Sequence, residues 1–204
     1  MILFGAGGHA RSCIDVIERC GAYEIAGLVG MSQEVGISHL GYRVISTDSD
    51  LSSLAGRFRF ALVTVGQIRS ADARIQLYRR LVEAGFELPT IISPLAHVSP
   101  HASLGYGSIV MHGAVVNAGA DIGRNGIVNT RALVEHDTVV GDHSHIATGA
   151  ILNGSVRVGS CTHVGSGSVI KEGVSVGDNC ILGMGLSVRR DLPDCTRFVG
   201  EPRA

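Results

Sequence analysis

The chain has no tryptophan, and phenylalanine and tyrosine together make up only 4% of its 204 residues. A core of large aromatic plates is excluded, so branched aliphatic side chains must fill the interior. Charge is also scarce. Charged residues are 17% of the chain, 17 Lys and Arg stand against 18 Asp and Glu, and the formal net charge is −1. That balance argues against a strongly basic nucleic-acid module. The five cysteines are odd in number and contain no CxxC pair, which predicts reduced thiols in a cytoplasm rather than a disulfide scaffold. No eighteen-residue apolar run is present, so no transmembrane helix is expected. Met1 leads straight into an apolar strand, so no signal peptide is expected.

Aliphatic residues are abundant, and they recur every six positions. From Ile92 the steps read Val98, Leu104, Val110, Val116, Ile122, Val128, Val134, Val140, Ile146, Leu152, Val158, Val164, Ile170, Val176, Leu182 and Val188. Four residues after each, the side chain is usually small: Ala96, Ala102, Ser108, Ala114, Ala120, Gly126, Ala132. This period is the mark of a parallel β-helix. Three six-residue sides make one triangular coil of a left-handed prism, and each aliphatic residue stacks inward on its equivalents. At about 4.8 Å per coil, a little over five coils give a prism roughly 26 Å tall. Gly105, Gly123, Gly141, Gly159 and Gly177 fall eighteen apart, and they are expected to ease the turn at one corner.

Residues 1–90 read differently. Ile2 to Phe4 is a short strand, Gly5-Ala6-Gly7-Gly8-His9 a glycine turn, and Ala10 to Cys20 a helix. Strand, glycine turn and helix open a nucleotide-binding βαβ unit, in which backbone N–H groups approach a phosphate. The run is not the full GxGxxG. The second strand, Glu24 to Val29, ends in Gly30-Met31-Ser32 with no acid to hold a ribose. Tyr42 to Ile45 reads as a short added strand and Phe60 to Val65 as a buried one, ending at Gly66-Gln67. Arg69 to Ala84 reads as a helix with Ile75, Leu77, Tyr78, Leu81 and Val82 on its apolar side and Arg74 among its polar residues. The expected fold is thus a small Rossmann-like α/β domain with a parallel sheet over 1–90, followed by a left-handed parallel β-helix over 91–204 with a short tail.

An aliphatic prism has no chemistry inside it, so reactive groups must lie on its outside or between subunits. The densest polar cluster is Asn129-Thr130-Arg131, Glu135-His136-Asp137 and Asp142-His143-Ser144-His145. A neutral imidazole suits general-base work at neutral pH, and a carboxylate on its other nitrogen fixes the tautomer. His136 is the candidate base, with Asp137 favoured over Glu135 as its partner; a surface histidine at a turn is the plain alternative. His145 and His163 stand eighteen apart and should stack. No histidine pair has the thirty-six-residue step of a β-helix zinc site, so no metal is expected.

The hexapeptide repeats resemble the acyl-CoA-dependent acyltransferases. The whole chain is similar to bacterial sugar acetyltransferases, namely the sialic acid O-acetyltransferase and the bacillosamine-pathway and perosamine N-acetyltransferases. The resemblance rests on Gly5-Ala6-Gly7-Gly8-His9, Pro94-x-Ala96-x-Val98, Asn129 through Glu135-His136-Asp137, Asp142-His143-Ser144-His145, and Val199-Gly200-Glu201-Pro202. It implies acetyl transfer from acetyl-CoA to the 4-amino group of a nucleotide-linked dideoxy amino-sugar in a cytoplasmic homotrimer with active sites between subunits. Gly7, Gly8, His9, Met31, Ser32, Gln67 and Asn129 would bind the acceptor. His145, Gly165, Gly183 and Gly200 would line the coenzyme A site. No acetyl-enzyme, nucleic-acid partner or membrane insertion is implied. O-acetylation of a sugar hydroxyl and a non-catalytic binding role for the β-helix remain as alternatives.

Overall fold

The computed structural model describes residues 1–200; Glu201 and Pro202 of the C-terminal motif lie outside them. The first part has β1 (Ile2–Phe4), α1 (Gly8–Cys20), β2 (Gly27–Gly30), β3 (Ser38–His39), β4 (Tyr42–Thr47), α2 (Leu51–Ala55), β5 (Ala61–Val63) and α3 (Asp72–Glu83). The sheet order is β3-β4-β2-β1-β5. It is parallel except for its edge, where β3 runs antiparallel to β4. The wholly parallel sheet expected from the sequence is corrected on this point: the tight turn at Leu40-Gly41, both at positive φ, folds β3 back as a hairpin. The second strand also begins at Gly27 rather than Glu24.

Helix α3 corrects a second expectation. Arg74 is 1% exposed and Val82 is 50% exposed. The face of α3 that carries Arg74 and Tyr78 is turned to the β-helix, where Arg74 donates to the backbone carbonyls of Asn125 and His143 (3.3 Å to the latter). Burial holds its guanidinium down at about 10. Helical period shows which residues share a face, not which face meets a second domain.

From Ile91 onward the chain winds as two-residue strands on three faces. The first face runs from Ile91–Ile92 to Arg197–Phe198, the second from His97–Val98 to Ser187–Val188, and the third from Ser103–Leu104 to Ser175–Val176. All pairs on the faces are parallel, with coil-to-coil partners such as Val116↔Val134 and Val134↔Leu152. The six-step aliphatics from Val110 to Val188 are buried in one continuous core. Each fully buried Val, Ile or Leu contributes about 1.5–3 kcal/mol. Small inward hydroxyls bridge the coils: Ser144 Oγ donates to Gly159 O (2.7 Å) and accepts from Thr162 N (3.0 Å).

The glycine column works otherwise than expected. Gly105, Gly123, Gly141, Gly159 and Gly177 do not have positive φ. A Cβ on Gly141 would stand 2.5 Å from Ser160 N in the next coil, so these positions are glycine because coils approach there. The turns fall elsewhere. Every sixth residue from Gly107 to Gly185, including Asn125, Arg131, Asp137, His143, Ser155, Cys161 and Asn179, is left-handed.

The outer sides of the faces differ. On the first, Ile109, Met111 and Ile127 pack against Ala10, Cys13, Ile14 and Ile17 of the first domain. The second carries an apolar ladder, Val115↔Leu133↔Ile151↔Val169. The third carries Ser103, Asp121, Val139, Arg157 and Ser175.

Candidate active site

Two separate recesses hold most of the residues singled out from the sequence. The larger, about 1050 Å³, lies between the first domain and the first face, and Gly7, Gly8, His9, Met31, Gln67, Asn129 and His145 all line it. Gly5 has φ +127°, and a Cβ there would come 2.8 Å from Val65, so the fold itself demands that glycine. Gly7 and Gly8 differ: neither has positive φ, and a Cβ on either would meet nothing within 4 Å. Packing does not require their bareness; it keeps open the space in front of the N-terminus of α1. Gly7 caps that helix without a side-chain hydrogen bond, and no acid occupies the first turn. Free N–H groups there suit an anion.

The back wall is a histidine row. His145 Nδ1 lies 2.8 Å from Gln67 O, so it donates to that carbonyl, and Nε2 then accepts from Asn129 Nδ2 (3.0 Å). Its ring sits 6.4 Å from that of His9 and 5.0 Å from that of His163. Burial, then the neighbouring charges, holds His145 down to about 3; burial and Arg74 hold His9 at about 4. Both rings are therefore neutral near pH 7. His9 Nε2 is buried and has no partner. His145 thus lines the cleft with Asn129 and the glycine loop and stacks on His163 of the next coil. Gln67 contributes its backbone; its side chain is committed to Arg74 Nη1 (2.9 Å) and Cys161 O (3.1 Å). Ser32 sits in the turn after β2 and does not line the cleft.

One residue was missed. The second strand lacks a terminal acid, but Glu34 supplies one from the turn that follows. Its Oε2 accepts from Met31 N (2.7 Å), and the side chain lines the cleft. Gly30 makes room for it, since a Cβ there would be 2.7 Å from Oε2. The signal was Glu34 itself, four residues beyond the expected position.

His136 lies in the second recess, about 670 Å³, with Glu135, Asn153, Gly154, Ser155, Glu172 and Gly173. It stands at the corner between the second and third faces. Its Nδ1 is 2.9 Å from Asp137 Oδ2. Glu135 is turned to the coil beneath, accepting from Asn117 Nδ2 (2.8 Å) and, through the same oxygen, from His136 N (3.3 Å). The ring contact therefore belongs to Asp137. Asp137 is left-handed, φ +59°, a conformation that aspartate tolerates better than most residues. Glycines one coil away admit both groups. A Cβ on Gly119 would lie 2.5 Å from Asp137 Oδ1, and one on Gly154 would lie 2.6 Å from His136 Nε2. The eighteen-residue step from 136 to 154 and from 137 to 119 was the available signal.

His136 does not line the cleft. Asn129 and His136 stand at opposite ends of the second face, and the stretch between them spans roughly 15–20 Å. Gly165 and Gly183 share the corner column of Asn129; a Cβ on Gly165 would collide with the Gly183 carbonyl, and Gly200 is at positive φ beside Leu186. No helix among the described residues is long and apolar enough to cross a membrane.

Comparison with known proteins adds to this geometry. Residues 1–81 match the family described as the PglD N-terminal domain, and residues 155–190 match the hexapeptide repeat of succinyl-transferase. No curated protein sequence matches the chain. Among solved structures, PerB of Caulobacter crescentus in complex with CoA and GDP-perosamine is 34% identical, with TM-score 0.88 over 95% of this chain and 90% of that one. The acetyltransferase domain of PglB from Neisseria gonorrhoeae is 34% identical, with TM-score 0.87 over 95% and 93%. WeeI from Acinetobacter baumannii, 21% identical with TM-score 0.83 over 95% and 92%, shares the fold. The chain belongs to the hexapeptide-repeat, left-handed β-helix acetyltransferases, the family of the perosamine and PglB N-acetyltransferases.

Proposed function

We propose that the protein transfers the acetyl group of acetyl-CoA to the 4-amino group of a nucleotide-linked dideoxy amino-sugar. The single observation that carries this is the pairing of His136 Nδ1 with Asp137, which leaves Nε2 as the base, in a chain whose other recess opens on a helix N-terminus. Asp137 holds the tautomer and stabilises the imidazolium as it forms. His136 takes the amine proton as the C–N bond forms at the thioester carbon. The C–S bond then breaks, and the proton passes to the departing thiolate. The N-terminus of α1, with Gly7 and Gly8, holds the diphosphate. Glu34 accepts from the ribose hydroxyls, and Asn129 and His145 face the sugar.

Distance and the bare second face support an assembly of several copies. One chain's His136 cannot reach its own cleft, while the apolar ladder from Val115 to Val169 lies between them. Covering that ladder with a second copy removes it from water and brings His136 of one copy to the cleft of the next. A closed ring of such unlike contacts gives a cyclic homotrimer. The donor then lies in the groove between copies, against the corner of Gly165, Gly183 and Gly200.

Thiol release from acetyl-CoA tests this against UDP-, GDP- and dTDP-4-amino-sugars, with sialic acid and a hydroxyl-bearing nucleotide sugar alongside. Turnover with one amino-sugar is expected. Turnover with a hydroxyl acceptor alone would move the protein to O-acetylation. Silence with every acceptor would overturn the proposal.

A further inference from the structure

Arg74 is a buried cation without a buried anion. It is 1% exposed, and its Nε has no hydrogen-bond partner. Among the described residues no carboxylate pairs with it, and each acceptor it meets is neutral. Nη2 donates to Asn125 O and to Asn125 Oδ1 (3.2 Å to the latter), and Nη1 donates to His143 O (3.3 Å) and to Gln67 Oε1 (2.9 Å). Taking a charge out of water costs on the order of several kcal/mol, so packing alone does not account for an arginine here.

The contact to Gln67 continues into the cleft. A guanidinium only donates, so the Gln67 atom beside it must be the amide oxygen. The amide nitrogen then donates to Cys161 O (3.1 Å). Held at both ends, Gln67 is buried while its neighbour Ile68 is exposed, and it anchors the loop between β5 and α3. Its backbone carbonyl lies 2.8 Å from His145 Nδ1. A carbonyl only accepts, so the neutral ring carries its proton on Nδ1 and presents Nε2 as an acceptor. Asn129 agrees with this: its Oδ1 accepts from Thr130 N (2.7 Å), which turns Nδ2 toward His145 Nε2 (3.0 Å). Each member leaves the next a single arrangement. Gln67, His145 and Asn129 line the cleft, and Arg74 stands behind them.

We propose that Arg74 is a positioning residue for the acceptor: through the Gln67 side chain it fixes the loop carbonyl that sets the His145 tautomer, and with it the direction in which Asn129 meets the sugar. This rests on the acetyl-transfer reading above. Arginine suits the place because it stays charged at any working pH and cannot accept a hydrogen bond, so the relay cannot reverse. A hydroxyl or a water there could turn its hydrogen and leave the Gln67 amide free to flip.

Gln67→Ala is the primary test, because it cuts the relay and leaves Arg74 its three acceptors on the β-helix. Arg74→Met, which strands those acceptors, is the second variant. Both are assayed with acetyl-CoA and the best amino-sugar acceptor of the wild type, and the His145 ring is followed by nitrogen-15 NMR. The expected result is a rise of about 10-fold in KM for the acceptor, an unchanged KM for acetyl-CoA, and loss of the single Nδ1-protonated form of His145. Gln67→Glu keeps an oxygen for Arg74 and is expected to hold the acceptor KM near that of the wild type. A lower melting temperature with unchanged acceptor KM would make Arg74 a clasp between the domains and overturn the proposal, as would an equal rise in both KM values. If the wild type turns over no acceptor, the acetyl-transfer reading fails and the NMR measurement decides the relay: a His145 tautomer unchanged in Gln67→Ala overturns it.

Discussion

The two recesses are built on opposite plans. In the cleft, His145 is buried and His9 half-buried, both imidazoles are held neutral with no carboxylate beside them, and the N-terminus of helix α1 stands bare. At the edge, His136 and Asp137 are more than 60% exposed side chains in direct contact. The cleft orders its groups by desolvation and backbone hydrogen bonds; the edge orders them by coil stacking, with Gly119 and Gly154 as the spaces that admit a carboxylate and a ring. Coil stacking thus positions a solvent-facing imidazole without burying it. In the proposed function, binding and proton transfer lie on different sides of one chain and meet in the assembly.

Breaking the edge should cost most. His136→Ala removes the proposed base and is expected to lower kcat by about 10³-fold or more while the fold and the proposed oligomer persist, as size-exclusion chromatography with initial rates will show. Loss of the oligomer instead would make the residue structural. Gly154→Ala is milder. Its φ is ordinary, but the new methyl occupies the place of His136 Nε2, so a fall in kcat of about 10- to 100-fold with an unchanged melting temperature is expected. Activity equal to wild type would show that the ring does not need its observed position.

The cleft should respond to pH through stability. His9 and His145 have folded values lowered to about 4 and about 3 from the ordinary 6.5. A lowered value means that the unfolded chain binds the proton first. The stability these rings contribute is therefore complete above pH 6.5, and declines as pH falls toward their folded values. A loss of a few kcal/mol is expected by about pH 5, read as a fall in melting temperature that His145→Gln reduces. A melting temperature that is flat over that range would mean that the rings are not buried in solution.

How far these features could be read from the sequence depends on their range. The six-step register is legible because every coil repeats the same local rule, so each aliphatic from Val110 to Val188 reports on the same interior. Gly5 to His9 is legible because the motif is contiguous. The eighteen-residue glycine column is visible in sequence, but its cause is not: only the stacked coils show that a Cβ at Gly141 would strike Ser160. Arg74 was unreadable, because its burial depends on a domain contact fifty residues away, where the Asn125 carbonyl replaces water. Glu34 was missed because a short turn moved the acid beyond the strand end. Asp137 could be preferred over Glu135 only weakly until Asn117 was seen to occupy the latter.

The most direct test of the composite site is complementation between two defective chains. A Cβ at Gly7 meets nothing within 4 Å, so Gly7→Asp aims a carboxylate at the proposed anion-binding space, and His136→Ala removes the proposed base. Each variant alone should be nearly inactive. Co-expressed and randomly mixed in a cyclic trimer, one site in four combines a sound cleft with a sound base from the adjoining copy, so about a quarter of wild-type turnover should return. If the mixed preparation contains verified hetero-oligomers and stays as inactive as its parents, cleft and base belong to the same chain, and the account of a site shared between copies is wrong.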